Sequence, residues 1–121
     1  MIRHLTGDPP EMATRATAAL RGADELMLAD VVVAECVYVL ESYYEVERER
    51  VAELMRAAIA MPSIKTVDRA SLLRALEVYE VDRLDFAEAY LVSQAESTDV
   101  DAILSFDGSV DRVDTVTRQK P

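Results

Sequence analysis

The chain has few of the side chains on which many enzymes rely, with one cysteine, one histidine and no tryptophan among 121 residues. A single cysteine, Cys36, cannot form an intrachain disulfide or a cysteine-based zinc site, which is typical of a protein from a reducing compartment. His4 is the only histidine, so a Ser-His or Cys-His catalytic pair would depend on it. Nucleophilic catalysis by serine or cysteine therefore has little support.

Glycine and proline are also scarce, with 3 and 4 residues. There is no glycine-rich loop that could hold a phosphate, no nucleophile-elbow pattern, no internal repeat and no flexible linker. Apolar runs fall far short of the roughly 18 residues that a membrane span needs, and the first residues do not resemble a signal peptide. We therefore expect one cytoplasmic domain over residues 1–121, because a hydrophobic content of 50% suffices for one core.

Acidic residues outnumber basic ones by 23 to 13, and the net charge is −10. This balance argues against nucleic-acid binding through a broad basic face, because such binding depends on neutralising phosphates. Contact through a bound metal ion remains open. A divalent cation is the simplest way to keep several carboxylates ionised in one pocket.

Helical and strand patterns alternate along the chain and predict an α/β layered domain with a largely parallel sheet. Short strands are expected at residues 26–28, which we predict to be buried, and at residues 64–67, within 101–107 and at 115–117. Helices are expected after the caps Asp8, Asp30, Asp68 and Asp85, and over residues 47–61.

Two carboxylates, Asp85 and Glu88, stand three residues apart at the start of the last helical segment. The simple interpretation is a capping box, in which Asp85 accepts backbone N–H bonds and Glu88 reaches back to the N-cap amide. Asp85 also lies at a helix N-terminus, where negative charge or a phosphate is favoured.

Two more carboxylates stand in unusual places. Glu35 is the only charge between Val31 and Leu40, and we expect it to be buried because a helix that is apolar nearly all round is buried. Its partner would be a metal, a proton or an arginine, and these alternatives remain open. Asp107 follows an apolar strand, at the end where parallel sheets place ligands, although Asp-Gly is also a common turn.

Convergence of these side chains would create a site made of oxygen ligands alone. Such a cluster suits Mg²⁺ or Mn²⁺, and it would support the hydrolysis of a phosphodiester. Its members would be Glu35, Asp85, Glu88 and Asp107.

Four segments occur in an order and spacing that resembles the PIN domain family, specifically the VapC-type toxin ribonucleases of toxin–antitoxin pairs: RHLTGD at 3–8, DVVVAECVYVLES at 30–42, LDFAEAYL at 84–91 and ILSFD at 103–107. The resemblance implies a PIN-like three-layer α/β fold, with a short, mostly parallel sheet flanked by helices. It implies endoribonuclease activity on RNA with Mg²⁺ or Mn²⁺, an antitoxin partner and a homodimer.

The resemblance also implies roles for individual residues. Glu35, Asp85 and Asp107 match acidic metal-ligand positions, and Glu88 stands where many relatives carry Asp. Ser105 matches a position that often carries a hydroxyl group assisting the site.

The chain departs from the family at its start. The family begins with a hydrophobic strand that runs through the middle of the sheet and ends in a metal-ligating aspartate, whereas MIRHLTGD begins just after that point. Either the true start lies upstream of Met1 or the gene is a truncated relative, and we favour the former because the other acidic positions remain. For this chain we expect a gap in the sheet, weakened metal binding and strand edges that pair with another chain.

Two alternatives compete with an active nuclease. The first is a catalytically impaired PIN-like module that acts by binding a protein partner, with tyrosine side chains as the contact surface. The second is another α/β phosphohydrolase, which would normally need a nucleophilic aspartate after the first strand.

Overall fold

The computed structural model describes residues 1–22, 24–105 and 107–121. These residues form six α-helices, four short strands, one π-helical turn and one 3₁₀ turn. They divide into two units, Met1–Val67 and Asp68–Pro121, which are described separately below. Phe106, which falls in the predicted strand segment 101–107, lies outside the described residues.

The first unit contains four helices and one pair of strands. Its elements in chain order are α1 (Ile2–Thr6), α2 (Pro10–Gly22), β1 (Leu26–Met27), α3 (Asp30–Ser42), α4 (Arg48–Ala60) and β2 (Ile64–Lys65). The buried stripes of the two central helices form much of its core: Val33, Cys36, Val37 and Leu40 on α3, and Val51, Met55, Ala58 and Ile59 on α4. The helix predicted over residues 47–61 is confirmed as α4, and its buried side chains follow helical spacing.

Two local predictions in the first unit were wrong, and one helix was missed. Asp30 is the first residue of α3 and not its cap, since the N-cap is Ala29 without a side-chain bond. The strand at 26–28 is not buried, because Leu26 and Met27 are exposed and only Leu28 is buried. Helix α1 was not predicted; it ends at Gly7, whose left-handed backbone (φ +70°) closes the last turn with a bond to the Arg3 carbonyl.

The second unit places two helices beside the other pair of strands. It comprises α5 (Arg69–Glu77), the π-helical turn Val78–Asp82, α6 (Phe86–Ser97), β3 (Ala102–Leu104), the 3₁₀ turn Gly108–Arg112 and β4 (Thr117–Gln119). Helices α5 and α6 pack together, and the Ser71 and Ser93 hydroxyls bond between them at 2.9 Å. The last strand lies two residues later than predicted.

The strands pair in parallel, as predicted, but they form two separate sheets of two strands each. In the first unit Leu26 lies opposite Ile64, and in the second Ala102 lies opposite Thr117. Every strand therefore has one side without a partner strand in the part of the chain that is described. The mixed helix and strand content agrees with an α/β PIN-like fold, whereas a gap within a single sheet stays a prediction.

None of the described helices combines the length and the apolar character that a membrane crossing requires.

Candidate active site

Asp85 caps helix α6, as the sequence predicts. Its Oδ1 accepts the backbone N–H of Glu88 at 2.8 Å, and its backbone is extended just before the first helical turn. The two neighbours, Leu84 and Phe86, are both buried, while Asp85 itself is exposed. These apolar anchors hold the carboxylate at the surface, and the capping bond occupies only one of its two oxygens.

Glu88 does not complete the capping box through its Oε2 atom. This oxygen is buried and has no hydrogen-bond partner among the described residues. A buried carboxylate oxygen without a partner is costly, so such an atom calls for a ligand. A hard divalent cation fits this need, because it prefers carboxylate oxygens.

Ser105 and Asp107 form a second ordered segment at the end of β3. Ser105 is buried, and its N–H donates to the Gln119 carbonyl at 3.0 Å. Its Oγ accepts the N–H of Asp107 at 3.0 Å, and Oδ1 of Asp107 accepts the N–H of Ser109 at 2.9 Å. The Ser105 hydroxyl thus orients the Asp107 segment.

The environment of Asp107 favours its charged form. The Ser109 backbone N–H makes the largest contribution to lowering the pKa of the Asp107 carboxyl, and the charges of Arg112 and Arg118 add to it. Asp107 is therefore ionised at neutral pH, as a metal ligand must be.

A contact that the sequence analysis missed joins the two acidic segments of the second unit. Arg112, at the end of the 3₁₀ turn that begins after Asp107, donates to the carbonyls of Asp82 and Arg83, just before Asp85. The partners are 29 and 30 residues apart, so no local pattern signals the contact. The 3₁₀ turn also packs against α6.

Glu35 lies in the first unit, and the prediction that it is buried was wrong. It is exposed on α3 between Val31 and Tyr38, which are 65% and 70% exposed. Only one stripe of this helix is covered, so apolar residues on its other face do not bury their neighbours. Glu35 does line a small cavity of about 160 Å³ beside Ile2 and Cys36.

The structure thus brings Asp85, Glu88, Ser105 and Asp107 into one unit and places Glu35 in the other. Convergence of all four carboxylates stays a prediction. Within either unit, the described residues contain no group of three or more His, Cys, Asp or Glu side chains arranged to hold a metal ion. The donors present are nevertheless of the kind that Mg²⁺ and Mn²⁺ prefer, and Glu88 Oε2, which has no hydrogen-bond partner among the described residues, could donate a lone pair to such a cation.

Comparison with known families decides the relationship. The family model described as the PIN domain matches residues 1–116, which span both units. The chain belongs to the PIN domain family. Members of this family are generally metal-dependent nucleases, and the match confirms the resemblance at this level. No curated protein and no solved structure matches this PIN domain significantly.

Proposed function

We propose that this PIN domain is a Mg²⁺- or Mn²⁺-dependent endoribonuclease of the VapC type, which hydrolyses RNA phosphodiester bonds as the toxin of a toxin–antitoxin pair. The observation that carries the proposal is the family match over residues 1–116, because this range contains all four candidate carboxylates. The unpaired oxygen of Glu88 supports it.

Carboxylate side chains would bind the metal ion in this proposal. Asp85, Glu88 and Asp107, which lie in the same unit, would hold the cation. When bound, it would activate water and neutralise charge at the scissile phosphate. Asp85 and Asp107 are each held by a backbone N–H at one oxygen, so the second oxygen is available in a restricted orientation.

The charge of the chain makes the cation important for RNA binding as well. At a net charge of −10, the protein repels a polyanion overall. RNA binding should therefore depend on the cation, and EDTA should weaken both binding and cleavage.

Cleavage of a single-stranded RNA in Mg²⁺, Mn²⁺ or EDTA tests the proposal. EDTA should abolish cleavage, and Asp107→Asn should reduce it by about 100-fold or more, since even groups that only orient metal ligands contribute 10- to 100-fold. Asp114→Asn is the matched control, because Asp114 is an exposed carboxylate of the same unit outside the site. Full Mg²⁺-dependent cleavage by Asp107→Asn, or undiminished cleavage in EDTA, would contradict the assignment.

The exposed apolar face of α3 favours the binding of a protein. That protein would be an antitoxin in the proposed function, or another partner in a second candidate function. Val31, Val32 and Tyr38 are 65%, 36% and 70% exposed, and they lie three or four residues from Glu35 along the helix. Exposed apolar side chains grouped on one face are typical of a contact surface. A basic, apolar antitoxin segment would cover this face, pair with Glu35 and complement the acidic chain.

In the second candidate function, the same face binds a protein partner while catalysis is impaired. RNA cleavage by the free chain, measured together with complex formation with a partner protein, separates the two functions. We expect Tyr38→Ser to weaken the complex by about 10-fold or more, as for an aromatic anchor residue, and to leave RNA cleavage by the free protein unchanged.

The matched control for this experiment is Val67→Ser, since Val67 is apolar and 79% exposed but does not lie on α3. Complex formation without any RNA cleavage by the wild-type chain would favour the partner-binding module. The mass in solution tests the homodimer that we also propose.

A further inference from the structure

The connection between α5 and α6 positions Asp85 by an unusual path. Helix α5 widens into the π-helical turn Val78–Asp82, and Arg83 then adopts a left-handed backbone (φ +61°). Only Leu84 separates Arg83 from Asp85. The orientation of the Asp85 carboxylate therefore depends on how this short turn is held.

Arg112 holds the turn from outside. Its Nη1 donates to the Asp82 carbonyl at 3.3 Å and to the Arg83 carbonyl at 3.2 Å. These carbonyls lie at the C-terminal end of the π-helical turn, where a positive charge is favoured. The guanidinium thus meets two acceptors directly before the metal-ligand candidate.

The other end of the same 3₁₀ turn starts at Asp107. The Asp107 side chain caps this turn through the Ser109 N–H, and Arg112 is the last residue of the turn. The five-residue 3₁₀ turn Gly108–Arg112 therefore connects one candidate ligand to the turn that precedes the other. A shift at Arg112 would move Asp85 relative to Asp107.

We propose that Arg112 is a positioning residue of the candidate metal centre, which sets the separation of the Asp85 and Asp107 carboxylates through its bonds to the Asp82 and Arg83 carbonyls. The inference rests on the proposed function, because it assumes that these carboxylates bind the cation. In this proposal Arg112 acts through its bonds to the two carbonyls.

The test measures Mn²⁺ affinity by electron paramagnetic resonance, with RNA cleavage as a second readout. Arg112→Ala should weaken Mn²⁺ binding by about 10-fold, the lower end of the effect of losing a group that orients metal ligands. Arg112→Lys should recover part of the affinity, since a single nitrogen, Nη1, makes both bonds and a lysine ammonium can donate in its place from a shorter side chain. In an Asp85→Asn background, Arg112→Ala should have no further effect, because its action passes through Asp85.

Arg118→Ala is the matched control. Arg118 lowers the pKa of Asp107 as Arg112 does, but its side chain bonds to Asp111 and not to the turn. It should leave Mn²⁺ affinity within about twofold, as expected for an exposed ion pair. An equal loss in both variants would mean that charge alone acts, and the proposal would be overturned.

A readout without metal separates failure of this inference from failure of the proposed function. The Glu88 N–H bonds to Asp85, so its hydrogen exchange should be faster in Arg112→Ala and unchanged in Arg118→Ala. A wild-type chain that binds Mn²⁺ but cleaves no RNA would overturn the function alone. If Arg112→Ala has the same Glu88 hydrogen exchange and the same Mn²⁺ affinity as the wild type, the inference alone would be overturned. A wild-type chain that fails to bind Mn²⁺ would overturn both.

Discussion

Two aspartate N-caps in the second unit allow helix capping to be separated from catalysis. Asp85 and Asp68 accept the N–H groups of Glu88 and Ser71 at 2.8 and 3.0 Å, but only Asp85 is a candidate metal ligand. Replacing either residue by Ala removes one capping bond, and we expect the free energy of unfolding to fall by about 1 kcal/mol. In a chain of this length, that loss lowers the Tm by about 4 °C.

Asparagine caps a helix about as well as aspartate, so it removes the charge of Asp85 but keeps the cap. Asp85→Asn should therefore stay within about 0.5 kcal/mol of the wild-type stability. Its RNA cleavage should fall by about 100-fold or more, because a metal ligand is lost. Asp68→Ala should show the reverse pattern, with lower stability and full cleavage.

Urea unfolding followed by circular dichroism measures the stability of each variant, and cleavage is compared under conditions where every variant is folded. Full cleavage by Asp85→Asn would refute the metal-ligand role. Wild-type stability of Asp85→Ala would refute the capping role, and loss of cleavage in Asp68→Ala would show that the assay reports stability.

Three further predictions concern stability and reactivity. The Arg74 guanidinium donates to Glu96 at 2.8 and 3.0 Å and lowers the pKa of Glu96. This pair therefore contributes about 1 kcal/mol to the free energy of unfolding above the ordinary glutamate pKa of 4.5, and the contribution is lost as the pH falls. Urea unfolding of Glu96→Gln at pH 7 and pH 3 should show a smaller pH dependence than that of the wild type. Leu76 is completely buried, so Leu76→Ala should lose about 3 kcal/mol in urea unfolding, and unchanged stability would contradict its place in the core. Burial raises the pKa of the Cys36 thiol, so a thiol reagent at pH 7 should react far more slowly with the native chain than with the unfolded chain, whereas equal rates would contradict the burial.

The features that could be predicted from the sequence depend on residues close together in the chain. The caps at Asp68 and Asp85 bond to amides three residues ahead, so the residue types and their spacing suffice. The apolar stripe of α4 likewise follows from one helical period. The family relationship also came from four short segments in register, and the match over residues 1–116 confirms it.

Burial on α3 could not be predicted in this way. The run from Val31 to Leu40 is apolar apart from Glu35, but hydrophobicity does not say which face another element will cover. Only the stripe that includes Val33 and Val37 is covered, and Glu35 is left at the surface.

The sequence by itself determined the class of fold, the caps at Asp68 and Asp85 and the identities of the candidate ligands, because each depends on composition or on residues close together in the chain. Only the tertiary structure decided that Glu88 Oε2 is buried without a hydrogen-bond partner in the described part of the chain. It also decided that the strands pair as two separate sheets and that Arg112 reaches the turn before Asp85. These features arise from contacts between residues far apart in the chain, and such contacts leave no periodic signal in the sequence.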